Sequence, residues 1–446
     1  MRTDVVIVGG GIAGLATGAL LSKQGRRVTV LERGNRPGGR AYTYEERGFT
    51  INYGPHAMYR PDTGLLGQVL ARLGRPRLPY NVPEPTLAYW ADGDRFASLG
   101  AKPHQVLTTQ LFPFTGRLRV AALMMAIRTA KPERIPAEQT FRAWVEERVP
   151  DESLRRFANA LAVVNTYTRP AGELSARWLV AHLKRSLFAK DYVGYMSHGW
   201  RSIYETFIDQ ITTHGGSVVT SAKVDHLDVR EGRVVAAFVG DQRYEAQAFV
   251  CTLPPQEAPS IALPATPLHG ELSRWTDLSD ARALTIELGF NRKLRDDLTF
   301  VFDVERDLYY SLHSEVTPDL APAGSQLMHA MAYLSPEEAA DDALREGRKR
   351  ELTDGLDRFF EGWREAFVFE RSLPNARVTS ARWIPSQLEP TRVPLRSSTA
   401  DNLYFAGDGR DIAYNLAEIA LASAMEVADA IAKDAPLRAA PERVTA

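Results

Sequence analysis

The chain is almost without cysteine. Its 446 residues include one, Cys251, which excludes an intramolecular disulfide and any multi-cysteine metal site and fits a reducing compartment. A surplus of either charge is also missing. Against 54 basic residues stand 55 acidic ones, for a formal net charge of −1, and no long basic block offers a nucleic-acid surface. The longest run without charge, Val5 to Ser22, spans 18 residues behind Met1–Arg2 and has the outline of a signal peptide or membrane anchor. Five of those residues are glycines (Gly9, Gly10, Gly11, Gly14, Gly18), and Asp4 interrupts the flank. The segment therefore reads as strand, tight turn and helix, and a cytoplasmic protein is expected. Apolar residues make up 44% of the chain, which supplies a sizeable core and excludes disorder as the main state. At about 150 residues per domain, two or three domains are expected.

Asp4 to Val8 (DVVIV) has the β-branched run of a strand buried on both faces of a parallel sheet. Gly9-Gly10-Gly11-Ile12-Ala13-Gly14 then matches G-x-G-x-x-G, and apolar Ile12, Leu15, Ala16, Ala19 and Leu20 follow at helical spacing. Arg27 to Leu31 (RVTVL) reads as a second strand ending at Glu32, 18 residues after Gly14. This order suits a dinucleotide. Glycines let backbone N–H groups and the positive end of a helix dipole approach a diphosphate. A carboxylate at the tip of the second strand accepts hydrogen bonds from ribose hydroxyls. Arg33 and the loop Arg36-Pro37-Gly38-Gly39-Arg40 follow, with Arg40 placed as a charge-assisted donor to the same diphosphate.

These residues resemble the flavin amine oxidase superfamily, which includes monoamine and polyamine oxidases, protoporphyrinogen oxidases and phytoene-type carotenoid desaturases. Three blocks carry the resemblance: Val5 to Arg40 with its double-glycine-arginine loop, Gly199 to Pro254, and Asn402 to Ile431. The middle block contains a helix-like Ser202 to Thr213 and strand-like Ser217–Ser221, Arg233–Val239 and Arg243–Cys251. The resemblance implies a β-meander over the adenine, with a backbone contact from Val224. In the last block, Asn402 to Ala406 is a strand running into Gly407-Asp408, and Asn415-Leu416-Ala417-Glu418 has the capping-box pattern ahead of a helix. By resemblance, Asp408 bonds the flavin ribityl chain, and the N–H groups near Leu416 and Ala417 face the flavin N1/O2 edge. There a helix N-terminus favours negative charge by about 0.3–2 kcal/mol.

The fold expected is α/β: a Rossmann-like FAD-binding domain of the double-glycine-arginine type (residues 1–75, 195–265 and 385–446) interleaved with an α+β substrate domain (76–194 and 266–384). FAD should be non-covalent, since no cysteine lies in the C-terminal block. No second G-x-G-x-x-G follows a strand. Electrons should therefore leave for oxygen, a quinone or another small acceptor, with no NAD(P) site.

Between the blocks, Leu65 to Lys190 reads as largely helical, with a Pro-punctuated stretch from Pro76 to Pro85 and helices near Arg117–Thr129, Pro136–Glu147 and Glu152–Asn165. Ala281 to Tyr333 returns to strands, Pro336 to Trp363 reads as one long charged helix, and a polar tail follows Lys433. Arg117 to Lys131 has an apolar centre between cationic ends, as a buried cap helix or one resting on a membrane surface. By resemblance, Gly54, Pro55 and His56 run along the flavin ring, where His56 touches flavin, holds substrate or acts as a base. Tyr414 is a second catalytic candidate as one wall of an aromatic slot, with Trp383 as another. Family amine oxidases commonly place a lysine near flavin N5, and none maps here. The function expected is hydride removal from a substrate C–H bond to flavin N5, with desaturation of an apolar, polyene-like substrate favoured. The alternatives are an amine or protoporphyrinogen-type oxidase using oxygen, a non-catalytic flavin-binding protein, and a flavin-dependent isomerase. The last is suggested by the Tyr53-Gly54-Pro55-His56 string, which resembles UDP-galactopyranose mutases.

Overall fold

The structure is a computed structural model that describes residues 1–84, 87–99, 105, 107–189, 193–388 and 391–434. Pro85, Lys190 and the tail from residue 435 lie outside the described residues. Five short strands form a parallel sheet in the order Ser217–Val219, Val28–Leu31, Val5–Val8, Ala248–Cys251, Leu403–Phe405. Numbered along the chain this is 3-2-1-4-5, so the order reverses beside the first strand, and open α/β sheets bind ligands at the carboxyl ends around such a reversal.

Strand pleat sorts the first strand's side chains onto two cores. Val5 and Ile7 pack under the helices Ile12–Lys23, Arg201–Thr213 and Ala417–Asp434, while Val6 and Val8 face the antiparallel meander. Apart from Lys23, every residue of Ile12–Lys23 is buried, as expected of a helix apolar on all sides. It has 12 residues, too few to span a bilayer. Among the described residues no helix is long and apolar enough to cross a membrane.

A second sheet has seven strands: Phe367–Thr379, Ala281–Phe290, Gln326–Leu334, Leu308–Ser311, Phe300–Asp303, Ala88–Asp92, Arg95–Ser98. Neighbours are antiparallel except Phe300–Asp303 beside Ala88–Asp92. Two of its strands come from the segment expected to be largely helical. Gly93 at φ +59 closes the hairpin between Asp92 and Arg95, a turn signal outweighed by the helical pattern around it. The helix expected over Pro136–Glu147 forms only at Phe141–Glu146, where Thr140 caps it by accepting from Ala143 N at 3.3 Å.

Pro336 to Trp363 is two helices, Pro336–Ala340 and Asp342–Phe359. Asp341 divides them, because its carboxylate accepts from Ala343 N and Leu344 N and starts a new helix. The meander also differs from expectation. It consists of His226–Arg230, Arg233–Val239 and Gln242–Tyr244, whereas Ser217–Val219 joins the parallel sheet and Arg243–Cys251 splits in two. Asn402 causes that split: its side chain donates to Val234 O (2.9 Å) and Gln247 O (3.0 Å), tying the meander to the last sheet strand.

Candidate active site

A cleft of about 550 Å³ opens at the carboxyl ends of the parallel strands and continues beneath the seven-stranded sheet. Its first wall is the glycine turn, with Gly9, Gly11, Ile12 and Ala13 among its lining residues. Gly9 sits at φ +109, and a Cβ there would lie 2.4 Å from Thr252 Oγ1. Gly14 does not line the cleft; a Cβ on it would lie 2.0 Å from Gly9 O, so this glycine lets helix and strand approach. Gly11 faces open space, with nothing within 4 Å of a Cβ. The first N–H groups of the helix have no intrahelical acceptor.

Glu32 ties the turn together, accepting from Gly10 N at 2.7 Å and Gly34 N at 2.6 Å. Gly38 N donates to Gly10 O at 2.8 Å and docks the double-glycine loop on the turn. Gly38, Gly39 and Arg40 line the cleft, as does Arg33, which pairs with Glu257 at 2.8 Å. Arg40 donates to Asp408 Oδ2 and to Val378 O, both at 2.8 Å. That acid also accepts from Thr379 Oγ1 at 3.2 Å and Ser380 N at 2.8 Å. Burial alone would raise the Asp408 carboxyl; Arg40 and Ser380 override it and hold it at about 2.

Gly407, Asp408, Leu416 and Ala417 line the opposite wall. The capping box expected at Asn415–Glu418 does not form, because both side chains are used elsewhere. Asn415 Nδ2 donates to Asn165 O at 3.3 Å, and the Glu418 carboxylate pairs with Arg60. The first turn is closed by Glu418 N on Asn415 O (3.0 Å) and Ile419 N on Leu416 O (3.2 Å). Val224 lies at one end with Ala222 and Lys223. Lys223 is the lysine among the described lining residues, at the end away from Tyr167 and Met331.

At that other end Gly54, Pro55 and His56 enter the cleft with Tyr53, Tyr167, Trp200, Thr285, Met331 and Leu373. His56 Nδ1 lies 2.8 Å from Gly54 O. A carbonyl only accepts, so Nδ1 carries the hydrogen and Nε2 keeps its lone pair. Burial pushes the His56 pKa down to about 4, which makes the ring neutral at pH 7. Its edge meets Trp200 at 4.6 Å between centroids.

Tyr414 is outside this lining; its ring packs under Arg185. Trp383 is also outside, stacked on Trp178 at 5.3 Å and covered by Arg392 at 3.7 Å. Sequence reasoning missed Thr285, Met331, Leu373 and Tyr167. For Thr285 a signal was present: within the apolar strand ALTIELGF, Thr285 and Glu287 are the polar exceptions and share one face.

The residues present fit the expected coenzyme. A Cβ on Gly11, which lines the cleft, would project into open space, the helix start leaves N–H groups free, and the buried Thr285 hydroxyl has no partner among the described residues. Comparison with known proteins agrees. Residues 12–432 match the family described as flavin containing amine oxidoreductase. Phytoene dehydrogenase of Streptomyces griseus is 53% identical over 58 residues, 13% of this chain and 11% of that one. Amine oxidase [flavin-containing] A of Sus scrofa is 24% identical over 270 residues, 56% of this chain and 50% of the relative. These alignments therefore span from about a tenth to half of the relatives' lengths. A Methanosarcina mazei oxidoreductase superposes with TM-score 0.78 at 20% identity, covering 96% of this chain and 100% of that one. Cyclohexylamine oxidase from Brevibacterium oxydans IH-35A gives 0.72 at 18%, covering 97% and 99%. Matched over nearly its whole length, the chain belongs to the flavin containing amine oxidoreductase family.

Proposed function

We propose that this protein removes a hydride from a C–H bond of an uncharged, largely apolar substrate, as in desaturation or dehydrogenation. The observation that carries this reading is that all four carboxylates among the described residues lining the cleft are already engaged. Glu32 holds two backbone N–H groups, Glu257 pairs with Arg33 and Arg377, Asp408 with Arg40, and Glu418 with Arg60. None is left to neutralise a substrate ammonium, whose burial without a partner is costly. The surface around the Tyr53–His56 end supports the same reading, since Tyr53, Tyr167, Trp200, Met331 and Leu373 bring mainly apolar area.

FAD, when bound, supplies the hydride acceptor at N5. The chain supplies grip and orientation. Gly11–Ala13 would hold the diphosphate with backbone N–H groups, those of Gly9 and Gly10 being taken by Leu31 O and Glu32, while Glu32 would offer its remaining lone pairs to ribose and Val224 a backbone contact to adenine. Asp408 would hold the ribityl chain, and Leu416 and Ala417 would offer backbone N–H groups to the flavin ring system. Cys251 lies in a buried strand outside the cleft, its thiol pushed up to about 12 by burial, which supports non-covalent attachment. His56, neutral at pH 7, lies where it would orient substrate or water and is too weak a base at about 4 to carry a proton. Thr285 Oγ1 is free to bond a ligand or water.

The domain division follows the same reading. All five parallel strands fall within 1–75, 195–265 and 385–446, and all seven strands of the second sheet within 76–194 and 266–384. A membrane-surface contact is supported by Phe114–Thr129. There Phe114 (69% exposed), Leu118 (49%) and Met125 (51%) form an outward stripe near Arg119 and Arg128.

The purified protein should be yellow. A colourless protein that cannot be reconstituted with FAD refutes the coenzyme assignment. Anaerobic mixing with uncharged polyenes and with primary amines then separates the substrates. Bleaching by a polyene supports this reading, bleaching by amines alone overturns it, and turnover without bleaching means isomerisation.

A further inference from the structure

The antiparallel register of the seven-stranded sheet places four polar side chains in one row. Glu287 lies opposite Arg371 on one neighbour and His329 on the other, and His329 lies opposite Ser311. One step along the same face runs Leu373, Thr285, Met331 and Tyr309, of which the first three line the cleft. The polar row is thus the layer next to the substrate end of the cleft. Glu287 is fully buried, at 0% exposure. A core built for stability alone would do as well or better with apolar residues here, so what the carboxylate touches is informative.

Its Oε1 accepts from Gly54 N at 2.6 Å. Its Oε2 accepts from Arg371 Nη1 at 3.0 Å and Tyr44 OH at 3.4 Å. The Arg371 guanidinium in turn covers the Tyr53 ring at 3.8 Å and Tyr44 at 4.7 Å. Gly54 is at φ +97, so its direction depends on a conformation that side-chain-bearing residues rarely adopt. We propose that Glu287 is a positioning residue: it fixes the Tyr53–His56 segment against the coenzyme by holding the Gly54 N–H directly and the Tyr53 ring through Arg371. The proposal rests on the reading that this cleft holds FAD.

The groups facing Glu287 make its charge state readable. His329 Nδ1, from the neighbouring strand, stands 3.8 Å from Oε1, beyond a hydrogen bond. His313 lies behind it with ring centroids 4.3 Å apart, and burial keeps both imidazoles neutral. Tyr44, from its own hairpin, is pushed well above the usual phenol range by burial and stays protonated. Arg371 is the cation, and Gly54 the backbone donor. Burial raises Glu287 to about 7 against both of them. His56 titrates near 4 and His313 near 3, so between pH 6 and 8 the group of this cluster that changes charge is Glu287.

The test uses FAD-loaded protein and reads the flavin absorption and its visible circular dichroism from pH 6 to 8. The wild type should show one transition near pH 7 as the segment tightens on deprotonation. Glu287→Gln keeps the shape and an acceptor for Gly54 N but not the charge. It should bind FAD within about threefold of wild type, show no transition, and with a turned-over substrate lose about tenfold in kcat with KM unchanged. Arg371→Gln should move the transition to higher pH, because removing the cation disfavours the carboxylate; this variant serves if Glu287→Gln does not fold. A transition that persists in Glu287→Gln, a wild-type spectrum flat over the range, or an unmoved transition in Arg371→Gln overturns the proposal while leaving FAD binding intact. A wild type that takes up no FAD sinks the coenzyme reading and this inference together.

Discussion

At the glycine-turn end of the cleft, proposed to take the diphosphate, Gly9, Gly11 and Glu32 lie within one stretch of chain and offer backbone and a single carboxylate. At the substrate end, Tyr53, Tyr167, Thr285, Met331 and Leu373 come from five separate segments and act through side chains. The first construction leaves little freedom: a turn that meets a diphosphate needs glycines at fixed offsets, whatever the substrate. The second is a surface assembled by sheet register, where many side chains fill the same space. The proposed grip on the diphosphate is therefore local in the chain and intolerant of change, while the proposed substrate fit is dispersed and adjustable.

The sharpest way to break this comparison lies inside the glycine turn, where packing and ligand contact separate at two positions. Gly14→Val puts a Cβ 2.0 Å from Gly9 O, a backbone atom that cannot swing away. We expect a loss of about 3 kcal/mol or more, seen as insoluble expression or a collapsed thermal transition. Gly11→Ala meets nothing within 4 Å at an ordinary backbone φ of −78, so the melting of its FAD-free form should match that of FAD-free wild type. FAD titration should nevertheless show an affinity weaker by about tenfold or more, because the added methyl enters the space of the diphosphate. Normal FAD affinity in Gly11→Ala would remove the turn from the coenzyme site.

Asp408 tests whether the far wall is equally intolerant. Its carboxyl is held down from 3.8 to about 2 although burial opposes this, through Arg40 and the Ser380 N–H. A depressed acid contributes stability that is present above its unfolded pKa and lost as pH falls through the folded one. Wild type should accordingly lose about 2 kcal/mol between pH 4 and pH 2, and Asp408→Asn should flatten that part of the profile. Parallel acid-denaturation curves for the two proteins would show that the pair is not coupled to folding. Glu32→Ala is milder. It removes the acceptor for Gly10 N and Gly34 N and the ribose contact, for an expected tenfold loss in FAD retention, about 1.4 kcal/mol. Unchanged retention would mean that the ribose is held elsewhere.

The same contrast decides what can be read from residues alone. Strand, glycine turn, helix and terminal acid stand in sequence order, so the parallel sheet and 17 of the 18 expected coenzyme residues meet at one cleft. Gly14, the exception, supports the turn from behind. Tyr414 and Trp383 do not reach the cleft, because aromatic residues near a binding segment are as easily claimed by the core or by a stacked arginine. Glu287 illustrates the opposite failure. Its charge in an apolar strand was visible, but its partners Gly54 and Arg371 lie 233 and 84 residues away. Only register brings them together. The helix break at Asp341 and the lost capping box at Asn415 share a cause, since short polar side chains serve whichever N–H or carbonyl the tertiary fold brings near.

The smallest effect on stability is expected farthest from either end of the cleft, on Phe114–Thr129. Its inward residues Val120, Leu123, Met124 and Ile127 are buried, while Phe114, Leu118 and Met125 point out at helical spacing. Two apolar faces on one helix are more than the core requires. Arg119, pairing at 3.7 Å with a half-exposed Asp151, and Arg128 over Phe188 put cations beside the outer face. Leu118→Glu and Met125→Glu remove no core contact, so each should change stability by less than about 0.5 kcal/mol. If the outer face serves an apolar substrate delivered from lipid, the double variant should co-sediment with anionic phosphatidylglycerol vesicles several-fold less than wild type and keep its flavin spectrum. Equal sedimentation would assign the stripe to ordinary surface. It would also confine the proposed substrate's apolar contacts to the cleft, to side chains such as Tyr167, Trp200, Met331 and Leu373.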